Sequence, residues 1–141
     1  NDKCFDLKGY IDTGNVLKDP YFKKSVSIVD LESLNFGGDS IRQLILDDIE
    51  LNTKVKYHMI PYNSLGCESG MLEVITVDSM YIYTKKKIYA QKNALIGLST
   101  VKLSSDNEFN VLVNIGAVQA ENCIKKLKFG GCYGFKSCGR R

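Results

Sequence analysis

Asp12, Thr13 and Gly14 are residue types suited to acid–base catalysis, and they stand in one tripeptide of this chain. They follow the apolar pair Tyr10-Ile11, so the sequence predicts a strand that delivers a carboxylate into a tight turn. A carboxylate can accept a proton from an attacking water. Glycine lets the backbone turn sharply, and a threonine hydroxyl both donates and accepts hydrogen bonds. We interpret Asp12 as catalytic and Thr13, Gly14 and Asn15 as its turn, although an ordinary strand-ending turn has the same composition.

Asp-Thr-Gly occurs once in the 141 residues of the chain. Water-mediated hydrolysis of a peptide bond by carboxylates, the chemistry of aspartic proteases, needs two of them, one protonated and one ionised. A C2 homodimer supplies the second carboxylate, because the same patch faces itself across the axis. The sequence therefore predicts an aspartic endopeptidase with one Asp12 per subunit. This chemistry needs no metal, nucleotide or other cofactor, and we predict none.

Two further segments have the composition expected around such a turn. The run Ala94-Leu95-Ile96-Gly97 is apolar and ends in glycine, so we expect Ile96 and Gly97 to pack beneath the turn; a buried strand followed by a turn is equally consistent. The segment from Tyr62 to Leu72 is predicted to be a mobile hairpin that closes over an extended substrate. Its proposed flap and substrate-binding residues are Ser64, Leu65, Gly66 and Gly70, with Leu72 offering apolar contact. A plain surface hairpin is the alternative.

The elements that must position these residues are mostly strands. Alternation and turn signals predict strands over 7–11, 24–29, 54–60, 71–77, 80–84, 88–91 and 109–113. The pattern of 24–29 is that of a half-buried strand. Helical spacing predicts one helix within 40–49 and a second over Ala117–Leu127. Residues 130–139 hold four glycines and are expected to be loop or tail. We predict one mostly β domain over 1–115, followed by a helix and a basic, glycine-rich tail over 116–141.

Charge and cysteine content narrow the range of partners. Net charge is +3, yet six Lys or Arg and no acidic residue follow Glu121. Such a tail is either solvated chain or a weak contact to an anionic lipid surface. Lys85-Lys86-Lys87 is predicted at an exposed hairpin tip, and no nucleic-acid partner is expected. Five cysteines, an odd number, argue against a complete disulfide framework. Three of them cluster near the end, Cys123, Cys132 and Cys138, but they have no nearby histidine as a fourth ligand, which argues against a zinc site. No apolar run approaches the roughly 20 residues of a membrane span, and the start at Asn1 suggests a piece of a longer protein.

Three segments together resemble one protein family. Gly9-Tyr10-Ile11-Asp12-Thr13-Gly14-Asn15, Ile60-Pro61-Tyr62-Asn63-Ser64-Leu65-Gly66 and Ala94-Leu95-Ile96-Gly97-Leu98-Ser99, in that order, are similar to the sporulation sigma-E factor processing peptidases of endospore-forming bacteria. The resemblance covers about 7–113. Asn15 departs from retroviral enzymes, which usually carry Ala or Ser after Asp-Thr-Gly.

The resemblance implies a fold, a substrate and a location. It implies a domain similar to retroviral proteases (retropepsin-like) that dimerises, with Asp12 as the catalytic aspartate. The implied substrate is the sigma-E precursor, which loses an N-terminal pro-segment. The family further implies an absent membrane-embedded half and activation by a forespore-derived signalling protein. The domain would then face the cytoplasm at the sporulation septum.

Other functions stay open at this stage. An aspartic-protease-like binding or assembly domain without activity would carry the same fold. An unrelated β domain with a chance Asp-Thr-Gly is a second alternative. A cysteine hydrolase using His58 would need a thiol beside that histidine, and nothing in the sequence places one there.

Overall fold

The chain is described here from a computed structural model, which covers residues 6–30, 32, 56–64, 67–106, 108–124 and 135–140. Its strands are β1 Lys8–Asp12, β2 Val26–Asp30, β3 Lys56–Ser64, β4 Cys67–Tyr83, β5 Ile88–Ser99, β6 Val111–Asn114, β7 Cys123–Ile124 and β8 Phe135–Arg140. Two short 3₁₀ turns, Ile115–Val118 and Ala120–Asn122, follow β6. In these described residues no helix is long and apolar enough to cross a membrane.

The eight strands form one sheet in the order β3-β4-β8-β1-β6-β2-β5-β7. A further pairing of β4 with β5 joins the sheet to itself, so that β4, β8, β1, β6, β2 and β5 make a closed circuit. β1 lies between β6 and β8 and is parallel to both. Closure leaves few free strand edges, and it fixes the carboxyl end of β1 from both sides.

The core fills the interior of this circuit. Thirteen buried residues of one cluster come from β1, β2, β4, β5, β6 and the first 3₁₀ turn, and Ile11 of β1 is among them. A second, smaller cluster lies where the β3–β4 hairpin meets β2 and β5, and it contains Val26, Ile60, Leu72, Val74 and Leu95. The alternation of apolar residues along these strands accounts for both clusters. The prediction of a mostly β chain is confirmed.

Several strand boundaries differ from the sequence-based expectation. The two strands predicted over 71–77 and 80–84 are one strand, β4, and β3 continues through Pro61 to Ser64. Pro61 has no backbone N–H to donate. It is tolerated in β3 because β3 is an edge strand of the sheet, so there is no second neighbouring strand whose hydrogen bond would be lost. The β4–β5 connection carries Lys85, Lys86 and Lys87, all exposed, as predicted.

The expectation that 24–29 is half-buried was wrong. All five residues of β2 are buried, including the polar Ser27. β2 pairs with β5 on one side and β6 on the other. The Ser27 hydroxyl accepts a hydrogen bond from the Asn114 backbone N–H at 3.0 Å, which satisfies this polar group inside the sheet.

The prediction of a helix over Ala117–Leu127 was also wrong for the residues that the structure describes, 117–124. Gln119 and Cys123 have extended backbones, which end the two 3₁₀ turns, and Cys123–Ile124 pairs with Tyr89 and Ile88 of β5. Strand pairing therefore prevails over the helical spacing of apolar residues. The helix predicted within 40–49 lies outside the described residues.

The expected tail of 116–141 contains a strand. Phe135–Arg140 forms β8, which pairs with β1 and with the end of β4. Glycine content predicted a loop, but the open edge of β1 offers hydrogen-bonding groups that this segment satisfies. Lys136 and Arg140 are thereby part of the sheet rather than of a solvated terminus.

Candidate active site

Asp12 is the last residue of β1, and its half-buried side chain lies at the start of a tight turn. The Asn15 backbone N–H donates to the Asp12 carbonyl at 3.0 Å, which closes the turn. The Gly14 N–H donates to Asp12 Oδ1, also at 3.0 Å. Thr13 and Gly14 are exposed. The turn thus holds a carboxylate in a fixed orientation at the protein surface, which a general acid–base group requires.

Asn15 anchors the turn to the sheet. Its Nδ2 donates weakly to the carbonyls of Val26 and Leu112, each at 3.4 Å, and its Oδ1 accepts the Leu17 N–H at 3.2 Å. Its backbone carbonyl accepts the Ile115 N–H at 3.3 Å. The local hydrogen bonding of Asn15, which the sequence could not specify, therefore connects β1, β2 and β6.

Asn114 is a site residue that the sequence analysis missed. It ends β6, pairs in register with Asp12 and is 2% exposed. Its Nδ2 donates to the carbonyls of Leu17 at 2.7 Å and Val26 at 3.1 Å, and its Oδ1 accepts the Gly116 N–H at 2.8 Å. An additional contact at 3.3 Å reaches Asn15 Oδ1. The sequence signal was an amide that interrupts an apolar run just before Ile115-Gly116.

Gly116 needs to lack a side chain. A Cβ placed on it would lie 2.9 Å from Ser25 Cβ and 3.1 Å from Asn114 Oδ1. The segment beside the Asp12 turn that ends in a glycine without room for a side chain is therefore Asn114-Ile115-Gly116.

Ile96 and Gly97, predicted to support the turn, lie on β5, with β2 and β6 between them and β1. Ile96 shares the main core cluster with Ile11, the residue before Asp12. Gly97 instead faces the β3–β4 hairpin, because a Cβ on it would lie 2.7 Å from Leu72 Cδ2 and 3.5 Å from Val26 Cγ1.

The predicted flap segment is an antiparallel hairpin of β3 and β4, in which Tyr62 pairs with Gly70 and Ser64 with Cys67. Leu65 and Gly66 lie outside the described residues. Leu72 is buried in the smaller core cluster, so the expectation that it contacts substrate was wrong. Gly70 has room for a side chain, since a Cβ there meets only the Tyr62 carbonyl at 3.9 Å. The flap role of Ser64, Leu65, Gly66 and Gly70 stays a prediction.

The loop that follows the catalytic turn is tied to this hairpin by Asp19 and His58. Asp19 is fully buried, and its Oδ1 accepts the backbone N–H groups of Tyr21 at 2.7 Å and Phe22 at 2.9 Å. Its Oδ2 accepts a hydrogen bond from His58 Nε2 on β3. Burial raises the pKa of Asp19, but the bonds from His58, Phe22 and Tyr21 outweigh it and hold the pKa below its ordinary value of 3.8. Among the described residues no group of three or more His, Cys, Asp or Glu could hold a metal ion.

A closed β-sheet that presents one Asp-Thr-Gly turn at the end of a central strand defines a candidate peptidase half-site. Comparison with known proteins agrees, because the peptidase family U4, described as Sporulation factor SpoIIGA, matches residues 1–116. The chain belongs to this family, as the sequence resemblance predicted.

Two relatives show how similar the chain is to named proteins. It is 32% identical over 122 residues to the sporulation sigma-E factor-processing peptidase of Bacillus subtilis (strain 168), covering 77% of this chain and 38% of that protein. It is 31% identical over 120 residues to a putative sporulation sigma factor-processing peptidase of Bacillus thuringiensis subsp. kurstaki, covering 77% of this chain and 73% of that protein. The chain thus spans about two fifths of the Bacillus subtilis relative. No solved structure matches it.

Proposed function

We propose that this chain is an aspartic endopeptidase domain that removes the N-terminal pro-segment from a sporulation sigma factor precursor. The observation that carries the proposal is the Asp12 turn, in which the carboxylate accepts the Gly14 N–H and the turn is anchored by Asn15 and Asn114. The names of the relatives supply the substrate, since both are sigma factor-processing peptidases.

The reaction needs two copies of the chain, each contributing Asp12. Two carboxylates that lie close together cannot both ionise cheaply, so the pair shares one proton. The ionised member takes a proton from water as the water attacks the scissile carbonyl. The protonated member donates a hydrogen bond to the developing oxyanion. An extended substrate would lie beneath the β3–β4 hairpin and add strand-like backbone bonds.

The proposed location follows from the same family. The domain would face the cytoplasm from a membrane-anchored parent, at the sporulation septum, and a forespore-derived signalling protein would act through the membrane half. In the same proposal, the two chains of the dimer pack as the subunits of retroviral proteases do, in a retropepsin-like arrangement.

Asp12→Asn tests the assignment directly. The substitution keeps the size of the side chain and removes its acid–base function, so cleavage of a pro-sigma-E protein should fall by at least about 10³-fold. Asp78→Asn is the matched control, because Asp78 is an exposed carboxylate of β4 that is not part of the turn. Cleavage by a folded Asp12→Asn chain at the wild-type rate would refute the assignment. A wild-type dimer that binds the precursor without cutting it would favour the binding-domain alternative.

A further inference from the structure

A groove lined by lysines lies beside the loop that follows the Asp12 turn. Asn114, Ile115 and Gly116 line it, as does Val16, which is 67% exposed and lies two residues after Gly14. Its volume is about 560 Å³, within the ~300–1,000 Å³ of ordinary ligand sites. Asn114, which pairs with Asp12 in the sheet, lines the groove, so the groove adjoins the proposed active site.

The charge of the groove is strongly biased. Four lysines line it, against one acidic residue, Glu121; the lysines are Lys18, Lys23, Lys24 and Lys92. All four are exposed. None of them forms an ion pair with another residue of the described ranges. Four unneutralised ammonium groups around one concave surface attract an anionic ligand.

The lysines are carried on a rigid frame. Lys18, Lys23 and Lys24 belong to the loop held by Asp19, whose backbone carbonyl accepts the Lys23 N–H at 2.9 Å and whose own N–H donates to the Lys24 carbonyl at 2.8 Å. Lys23 has a φ of 59°, in the left-handed region that residues with a side chain seldom adopt. Such a conformation persists only where the surrounding structure determines it, and it is concentrated at functional sites.

The opposite wall of the groove is formed by residues of β5, which are hydrogen-bonded to this loop. Lys92 precedes Asn93, which has a φ of 51°. Lys24 Nζ donates to the Asn93 carbonyl at 3.3 Å, and Gln91 Nε2 donates to Ser25 Oγ at 3.1 Å. These bonds hold the two walls at a fixed separation, so little reorganisation opposes the binding of a ligand.

We propose that this groove is a specificity subsite for an acidic segment of the protein substrate, with Lys18, Lys23, Lys24 and Lys92 reading Asp or Glu side chains near the scissile bond. The inference rests on the proposed function in taking the acidic segment to be part of the cleaved protein. Charged side chains at such a site select a substrate sequence and reject one of the opposite charge.

The test measures binding separately from cleavage. Three fluorescent ten-residue peptides of Gly, Ser and Ala carry three Glu, three Gln or three Lys, and fluorescence anisotropy gives their affinities for the Asp12→Asn chain. The Glu peptide should bind about tenfold more tightly than the Gln peptide at low salt. The preference should shrink as salt shortens the reach of the charges to roughly 3 Å at 1 M. Equal affinities for the Glu and Gln peptides would overturn the proposal.

Substitution of lysines tests whether the groove causes the preference for the Glu peptide. Lys23→Gln with Lys92→Gln should abolish the preference for Glu. Should that double variant fail to fold, Lys18→Gln with Lys92→Gln leaves the strained Lys23 intact and should also abolish the preference for Glu. Lys85→Gln with Lys86→Gln, on the exposed β4–β5 turn, makes the same change in net charge and should leave the preference intact. A control pair that weakens binding as much as the groove pairs would show a general charge effect and contradict the subsite.

Cleavage separates this proposal from the proposed function. In the chain with intact Asp12, Lys23→Glu with Lys92→Glu should slow hydrolysis of pro-sigma-E and speed hydrolysis of a precursor whose acidic residues near the cleavage site are replaced by Lys. Wild-type cleavage that the groove variants leave unchanged would overturn the subsite alone. Selective binding of the Glu peptide by a chain that cleaves nothing would overturn the proposed function and leave the groove's acidic preference standing.

Discussion

At the scale of single residues, the candidate site depends on two side-chain amides as much as on the carboxylate. Asn15 and Asn114 contact each other and bond to backbone carbonyls of Leu17, Val26 and Leu112. Leu17 lies in the loop after the turn, Val26 begins β2 and Leu112 lies within β6. By bonding to these three carbonyls, the amides join the loop to β2 and β6 and hold the turn that presents Asp12.

Asn114→Asp should therefore destabilise the fold and slow catalysis. The change keeps the shape of the side chain but replaces two N–H donors with a buried carboxylate that faces carbonyl oxygens. The expected loss is about 3 kcal/mol in the free energy of unfolding, measured by urea denaturation at pH 7. Gln119→Glu is the comparison, because its exposed amide donates to the Ile115 carbonyl at the surface and its loss should cost under about 0.5 kcal/mol. Equal losses for the two variants would show that Asn114 has no special structural role.

At the scale of elements, the loop between the Asp12 turn and β2 is attached to the β3–β4 hairpin. Leu17 packs against the smaller core cluster that contains Ile60 and Leu72 of the hairpin. Asp19 of the loop binds His58 of β3, and the rings of Tyr21 and Phe22 lie 6.5 and 5.5 Å from the His58 ring. These contacts hold the base of the hairpin against the loop.

The Asp19–His58 contact gives the fold a specific pH dependence. Because hydrogen bonds lower the folded-state pKa of Asp19, its ionised form stabilises the fold fully above its ordinary pKa of 3.8. That contribution is lost as the pH falls below 3.8 through the folded pKa. Asp19→Asn should cost about 2 kcal/mol at pH 7, and the gap from wild type should narrow below pH 4. Thermal unfolding at pH 3 to 7 measures it, with Asp78→Asn expected to match wild type throughout. A gap of constant size from pH 7 to 3 would contradict the role of the carboxylate.

The hairpin makes a second prediction at this scale. If its tip closes over substrate, a peptide inhibitor should slow amide hydrogen exchange in the segment from Tyr62 to Leu72. The β4–β5 turn, at Lys85–Lys87, is an exposed hairpin connection of the same molecule and serves as the internal reference. Equal exchange in the Tyr62–Leu72 segment with and without inhibitor would remove the flap role.

At the scale of the whole molecule, the proposed chemistry requires two copies of the fold. Each chain carries a single Asp-Thr-Gly, and the closed sheet presents it at one place on the surface. Val16, exposed beside the turn, and exposed Thr13 are available for contact with a second copy or with substrate.

Activity should consequently follow dimerisation. When wild-type chain is mixed with a ninefold excess of Asp12→Asn, random pairing leaves about one tenth of the wild-type subunits in fully active dimers. The specific rate should fall by that factor at concentrations where dimers form. An excess of the double variant Asp12→Asn, Thr13→Ala should inhibit less, because we expect the Thr13 hydroxyl to hydrogen-bond the turn of the second copy across the dimer axis. A specific rate that neither the excess of inactive chain nor dilution changes would show that one chain is sufficient.

The sequence by itself determined the family, the position of the Asp12-Thr13-Gly14 turn and the β character of the chain. Asp12-Thr13-Gly14 is a local signal, because a strand end, a carboxylate and a glycine adjacent in sequence are also adjacent in space. Alternating apolar residues likewise predicted most strands, since the period of two is a property of the strand itself.

The tertiary structure decided the partners of that turn. Asn114 lies 102 residues from Asp12 and becomes its neighbour only through parallel pairing of β1 with β6, a contact that no local pattern encodes. The helix predicted after Ala117 and the loop predicted after Gly130 became strands in part, because β5 and β1 offered open hydrogen-bonding edges. Pairing of β2 with β5 likewise brought Lys92 into one groove with the three lysines of the loop before β2. Long-range pairing satisfies backbone groups that local propensity leaves open, and for that reason it overrides the sequence signal at these places.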